Sequence, residues 1–229
     1  MRSAGDSLAL LRALQHGDSA FPSGGFAFSQ GLEGLAALDG KPDASRVAAF
    51  LNALVVTRWT SFDRVALVRA HRAEGIVGAI AEIDAEMEAA SVVEPLRTGS
   101  RRHGGAFLAA HTRLGTPGAS DYRALIAQGE AFGHLPVMQG FLWHGAGIDE
   151  ATAVALSGYG LAAGIVSAAI RLGLVGAIDG QRIITEAIEG ISAANGGEVA
   201  AGTPLAGFSP HAELAALHQA RSDMRLFSN

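Results

Sequence analysis

The sequence contains no cysteine, which excludes a disulfide framework, a thiolate metal site, an iron–sulfur cluster and a cysteine nucleophile. It has one lysine, Lys41, set in Gly40-Lys41-Pro42. A phosphate-binding P-loop needs Gly-Lys followed by Ser or Thr, so nucleotide hydrolysis by that route is excluded too. Charged residues are scarce at 17%, below the roughly 25% of ordinary soluble domains, and aromatic residues reach only 6%. The balance is acidic, with a formal net charge of -5, and offers no clustered basic footprint for nucleic acid or an anionic membrane. Near the N-terminus only Leu8-Ala-Leu-Leu11 runs apolar before Arg12 intervenes, too short for a secretory signal. These absences predict a cytoplasmic protein.

What is abundant is small. The 229 residues include 45 alanines and 30 glycines, and their hydrophobic periodicity is helical almost throughout. Asp43 can cap a helix in which Val47, Phe50, Leu51, Leu54 and Val55 form one apolar stripe. Ile76, Ile80, Ile83 and Met87 repeat the stripe, with Glu82, Asp84, Glu86 and Glu88 read as the solvated face. Pro95 suits the first turn of a helix that carries Leu96, Ser100, His103, Phe107 and His111 on one side, and Pro136 could start another. No segment alternates apolar and polar residues convincingly. The expected fold is all-α, a single helical-bundle domain over 1–229. Its N-terminal helix and loop occupy 1–28, and a connector and flexible C-terminal tail occupy 195–229.

The segment Ala151 to Ile170 carries no charge and has the length of a bilayer span. Seven alanines, three glycines and several hydroxyl residues favour a buried central helix of the bundle over a membrane helix. Gly160 and Gly164 have the spacing that lets helix backbones approach closely there.

No catalytic constellation emerges. None of the eight histidines forms H-x-x-x-H or H-E-x-x-H, and His103 and His111 stand about 12 Å apart along one helix, too far to share an ion. Gly158-Tyr-Gly160-Leu-Ala-Ala163 fits a dinucleotide fingerprint loosely but follows no strand. His103-Gly104-Gly105 has the look of an esterase oxyanion loop, yet no Gly-x-Ser-x-Gly elbow accompanies it. Arg97, Arg101 and Arg102 read as surface arginines. What remains is Gly17 to Gly25, GDSAFPSGG, which cannot continue a helix and brings Phe21 and Phe26 to a shaped loop, and a tail with Phe227. Aromatic side chains in such places anchor interfaces.

The loop motif Asp18-Ser-Ala-Phe-Pro-Ser-Gly-Gly-Phe-Ala-Phe-Ser-Gln-Gly-Leu-Glu33 resembles the N-terminal signature of the UreF family of urease accessory proteins. Gly133-His134-Leu-Pro136-Val137 is similar to that family's mid-chain motif. Ser167-Ala-Ala-Ile-Arg171-Leu-Gly-Leu-Val-Gly176 through Gln181 is similar to the segment after its apolar helix, and Arg225-Leu-Phe-Ser228 to its tail. The four matches span nearly the whole chain in order. The resemblance implies an all-helical protein, often a homodimer, with no enzymatic activity of its own. It implies binding to the UreD/UreH accessory protein and, through that complex, to the UreG GTPase, so that nickel reaches apo-urease. No cofactor is expected: nickel passes through the complex, and GTP is bound by the partner. By resemblance, Phe21, Pro22, Gly24, Gly25, Arg171, Gly176, Arg225, Leu226 and Phe227 are candidate partner-binding residues. The tail departs from the family pattern, since His218 is followed by Gln219 and the spacing to Arg225 is one residue longer. The competing readings are a helical enzyme with an unrecognised His/Asp site and an Ala/Gly-rich membrane-associated protein.

Overall fold

The computed structural model describes residues 4–221 together with Leu226 and Phe227; Arg225 lies outside the described residues. Helix α1 (Ala4–Gly17) leads into the loop and a short 3-10 turn, Gly25–Ala27, before α2 (Leu32–Asp39). Asp43 caps α3 (Ala44–Leu54) by accepting from the Arg46 N–H at 2.8 Å, as its side chain and position dictate. This helix runs without a break through a π-helical stretch, Val55–Asp63, into α4 (Arg64–Arg72). There follow α5 (Val77–Ala90), α6 (Glu94–Leu114), α7 (Ala119–Gln128), α8 (Leu135–Gly145), α9 (Glu150–Arg171), α10 (Ala177–Asn195) and α11 (Pro210–Gln219). Among the described residues there is no strand, so the all-α expectation holds.

Helix α8 is the axis of the bundle. Val137, Met138, Phe141, Leu142 and Trp143 are all buried, and the helix packs against α4 and α6. Close approach to α4 depends on Gly140, where an added Cβ would lie 2.1 Å from the Leu67 carbonyl oxygen. Helix α9 buries one face, with Val154, Ser157, Ala162, Ile165 and Val166 inward, while Tyr159, Gly160 and Ile170 are exposed. It is the one helix among the described residues long and apolar enough to cross a membrane, and half of that stretch is buried inside the bundle. The close contact expected at Gly160 and Gly164 is not there: a Cβ on either would meet nothing within 4 Å. It falls instead at Gly158, where a Cβ would come within 2.5 Å of Ile191 and 2.9 Å of Trp59. Spacing alone located the small residues, but the orientation of α9 chose which of them touch.

Asp84 is the second departure. Expected on a solvated face, it is fully buried and accepts from the Tyr122 hydroxyl at 2.9 Å and from the backbone N–H groups of Phe132, Gly133 and His134 at 2.8, 2.7 and 2.9 Å. Four donors replace the water a buried carboxylate loses. Beside it the buried His134 ring meets Glu88 at 2.8 Å through Nε2 and Ser100 at 3.1 Å through Nδ1. The motif Gly133-His134 is thereby fixed to α5 and α6 as the chain turns into α8.

The connector after α10 lacks helix, as its glycines and prolines predict, yet it is tethered. Arg64 donates to the Gly197 carbonyl at 2.8 Å and Arg72 to that of Val199 at 2.6 Å. The N–H groups of Ala206 and Phe208 donate to the Ser61 and Thr57 carbonyls of the π-helical stretch at 3.2 and 3.1 Å. The connector therefore returns α11 to a defined place.

Replacing Asp84 with Ala strands three backbone donors and a tyrosine hydroxyl in the interior, each worth about 1–3 kcal/mol when left unpaired. Asp84→Ala is expected to lower the unfolding free energy by about 3 kcal/mol or more, measured by urea denaturation, whereas Glu82→Ala on the same helix should change it by less than about 0.5 kcal/mol.

Candidate docking site

The site grows from the loop between α1 and α2. The Asp18 carboxylate accepts from the Ala20 N–H at 2.6 Å, and its carbonyl accepts from the Phe21 N–H at 3.0 Å, closing a turn. That turn sends Phe21 inward: its ring centroid lies 4.8 Å from His16, 5.6 Å from His111 and 5.8 Å from Phe107. Phe21 is thus half-buried, and its contact with the core seats the loop. Pro22 is exposed. Gly24 has φ of 80° and sits so close to α6 that a Cβ would lie 2.8 Å from that of Ala106, so only glycine fits. A Cβ on Gly25 would lie 3.1 Å from His103 Nε2, and Phe28 stacks on the same histidine at 5.2 Å.

Phe26 points the other way, 72% exposed. The Arg171 guanidinium, in the last turn of α9, lies 3.6 Å from its ring centroid and donates to the Phe26 carbonyl. The same guanidinium lies 4.2 Å from the Phe227 ring. One arginine therefore holds an aromatic of the loop and an aromatic of the tail, in the stacked geometry that a planar cation permits. Phe227 is only 3% exposed. Its N–H and that of Leu226 donate to the Glu33 carboxylate at 3.2 and 2.7 Å, and Gln219 Nε2 donates to the same group. Glu33 stands on α2, which packs on α11; a Cβ on Gly34 would lie 1.9 Å from the Ala215 carbonyl. That close pairing carries the tail back to the loop.

Of the sequence-predicted residues, the structure brings together Phe21, Pro22, Gly24, Gly25, Arg171, Leu226 and Phe227 around the loop. Gly176 is the residue before α10, with φ of -81°, and a Cβ there would meet only Asp179 at 4.0 Å; what the structure shows for it is a helix boundary. Glu33 was legible only as the last residue of the loop motif, because nothing in its spacing marks it as the acceptor for a tail nearly 200 residues away.

Burial holds the neighbouring histidines uncharged. It pushes the His103 ring down to about 4; burial, with the adjacent His16, pushes His111 down to about 3. His134 is also lowered, by burial that outweighs Asp84 and Glu88. Among the described residues there is no group of three His, Asp or Glu side chains placed to hold a metal ion. The arrangement of exposed ring, stacked cation and docked tail has the chemistry of a binding surface.

A family model described as UreF matches residues 42–188. Over 224 residues the chain is 31% identical to urease accessory protein UreF 1 of Brucella melitensis, covering 96% of this chain and 92% of that protein. It is 30% identical to urease accessory protein UreF of Trichodesmium erythraeum over 190 residues, 80% of each chain. With that of Yersinia pseudotuberculosis it shares 29% over 228 residues, 96% of this chain and 98% of the other.

The loop seat makes its own test. Gly24→Ala forces a side chain into a left-handed backbone, a cost of roughly 1–2 kcal/mol, and into Ala106. It should lower stability by at least that amount in chemical denaturation. Gly105→Ala on the adjoining helix, where a Cβ meets nothing within 4 Å, should instead gain up to about 1 kcal/mol.

Proposed function

The chain belongs to the UreF family of urease accessory proteins, and from that premise we propose that it works as a non-enzymatic scaffold for nickel insertion into urease. In this reading it docks on the UreD/UreH accessory protein in the cytoplasm and through it engages the UreG GTPase and apo-urease. Nickel passes through the assembly as cargo. GTP is bound by the partner, and its hydrolysis is coupled to delivery.

The single observation that carries the reading is Arg171 stacked between Phe26 and Phe227. It joins loop and tail into one surface, and the ring of Phe26 remains open to a partner. Aromatic rings and arginine are the side chains that most often dominate protein interfaces. Phe21, Gly24 and Gly25 shape the loop from beneath, while Pro22 and Leu226 extend the exposed part; Gly176 and Arg225 are proposed contacts on the resemblance alone. A homodimer fits a different face. On α9, Tyr159, Gly160 and Ile170 are exposed, and Leu8, Leu11 and Leu14 are exposed on α1, which packs against α9. Apolar surface of that kind marks an association site.

The test is co-expression with the UreD/UreH and UreG proteins of the same organism, followed by size-exclusion chromatography with light scattering. The wild-type chain should co-elute with both. Arg171→Gln, which removes the cation between the rings, should weaken the complex about tenfold or more, with unchanged helical circular dichroism, and Arg171→Lys should restore only part of it. Co-elution of Arg171→Gln at wild-type affinity would remove Phe26, Arg171 and Phe227 from the interface; a wild-type chain that elutes alone would overturn the scaffold reading itself.

A further inference from the structure

Two histidines lie beneath the loop, His111 buried and His16 half-buried. His111 is fully buried, with Nδ1 2.9 Å from the Thr116 hydroxyl and Nε2 lacking any hydrogen-bond partner. His16 Nδ1 is likewise buried and unpaired. The two rings stack at 5.0 Å and 22°. Rings so disposed aim their nitrogen lone pairs along nearly parallel planes, so they do not converge on a shared metal ion. Phe21 and Phe107 complete the pile, 4.8 Å from His16 and 4.5 Å from His111 respectively. Unpaired buried nitrogens are costly, and a charge on either imidazole would lie against the other ring with no hydrogen-bond acceptor on the unpaired nitrogen.

We infer that the His16–His111 stack is a proton-sensitive latch: neutral, it seats Phe21 and the loop on α6, and protonation releases them. The charged neighbours offer a new cation no partner in place. On α1, Arg12 is turned toward Gly147. In the loop, Asp18 is engaged by the Ala20 N–H. Helix α6 contributes Arg102, His103 and Arg113, which add no negative charge. Helix α8 offers only His144, which sits edge-on to His71, and α9 carries no charge between Glu150 and Arg171. Relief lies next door, in an open groove of about 750 Å³ bounded by Gln15, Asp18, Phe21, Pro22, Ala110 and Arg113. A charged His16 that swings into this groove reaches water and the Asp18 carboxylate, and it withdraws the support under Phe21.

Burial lowers His16, and burial together with His16 lowers His111. The folded state therefore binds fewer protons than the open one, and the latch is fully closed above the ordinary histidine value of about 6.5 and weakens as pH falls below it.

Hydrogen exchange of the full chain between pH 7.5 and 5.0, corrected for intrinsic exchange rates, tests this. Protection of amides 17–28 should fall by up to about tenfold per pH unit below 6.5 for each proton taken up, while α8 remains protected. His16→Phe keeps a stacked ring without a titrating nitrogen and should cut the pH dependence to what His111 alone supplies; should that variant not fold, His16→Gln serves, with the same expectation. A loop whose protection does not change with pH overturns the latch. So does a profile unchanged by the substitution, or loss of protection in α8 in parallel with the loop, which would be global acid unfolding.

Discussion

A single buried carboxylate fixes the frame on which everything else is built. Asp84 binds the tyrosine of α7 and three consecutive backbone N–H groups just before α8, so one residue of α5 sets where the axial helix begins. A polar acceptor in a dry interior is tolerated only when it is paired, and pairing with three consecutive N–H groups fixes the conformation of that turn. Helix α8 then aligns α4 and α6, and α6 is the platform for the loop.

The candidate docking surface depends on that platform and on two long returns of the chain. The loop lies near the N-terminus, Arg171 ends α9, and the tail arrives after a connector held by arginines of α4. No local sequence rule joins these three segments. They meet because the α2–α11 pairing brings the tail to Glu33 and because a guanidinium can stack on two rings at once. The binding reading and the proton latch use opposite sides of one loop: Phe26 outward on Arg171, Phe21 inward on two histidines.

Small side chains explain both the success of pattern reading and its errors. A chain this rich in alanine and glycine packs by letting helix backbones approach, so the helices and their apolar stripes were readable from periodicity. The stripe from Val47 to Val55 is buried as expected, and the cap on Asp43 is formed as expected. Which glycines make contact was not readable, because Gly158 and Gly160 differ by a rotation of α9 that no i to i+4 rule contains. Asp84 was misread for a related reason: its helix does carry acids outward, and one of them faces a nest of N–H groups supplied by residues some 50 positions later.

By itself the sequence determined that the protein is helical, that it carries no thiol, P-loop or esterase elbow, and that a shaped Phe-Pro-Ser-Gly-Gly loop follows its N-terminal helix; these follow from local backbone preference and residue chemistry. Only the tertiary structure decided that Phe21 points in and Phe26 out, that Arg171 and Glu33 gather loop and tail, and that His16 stacks on His111. Those outcomes depend on contacts between residues far apart in the chain, whose geometry is set by how whole helices pack and not by any neighbour in sequence.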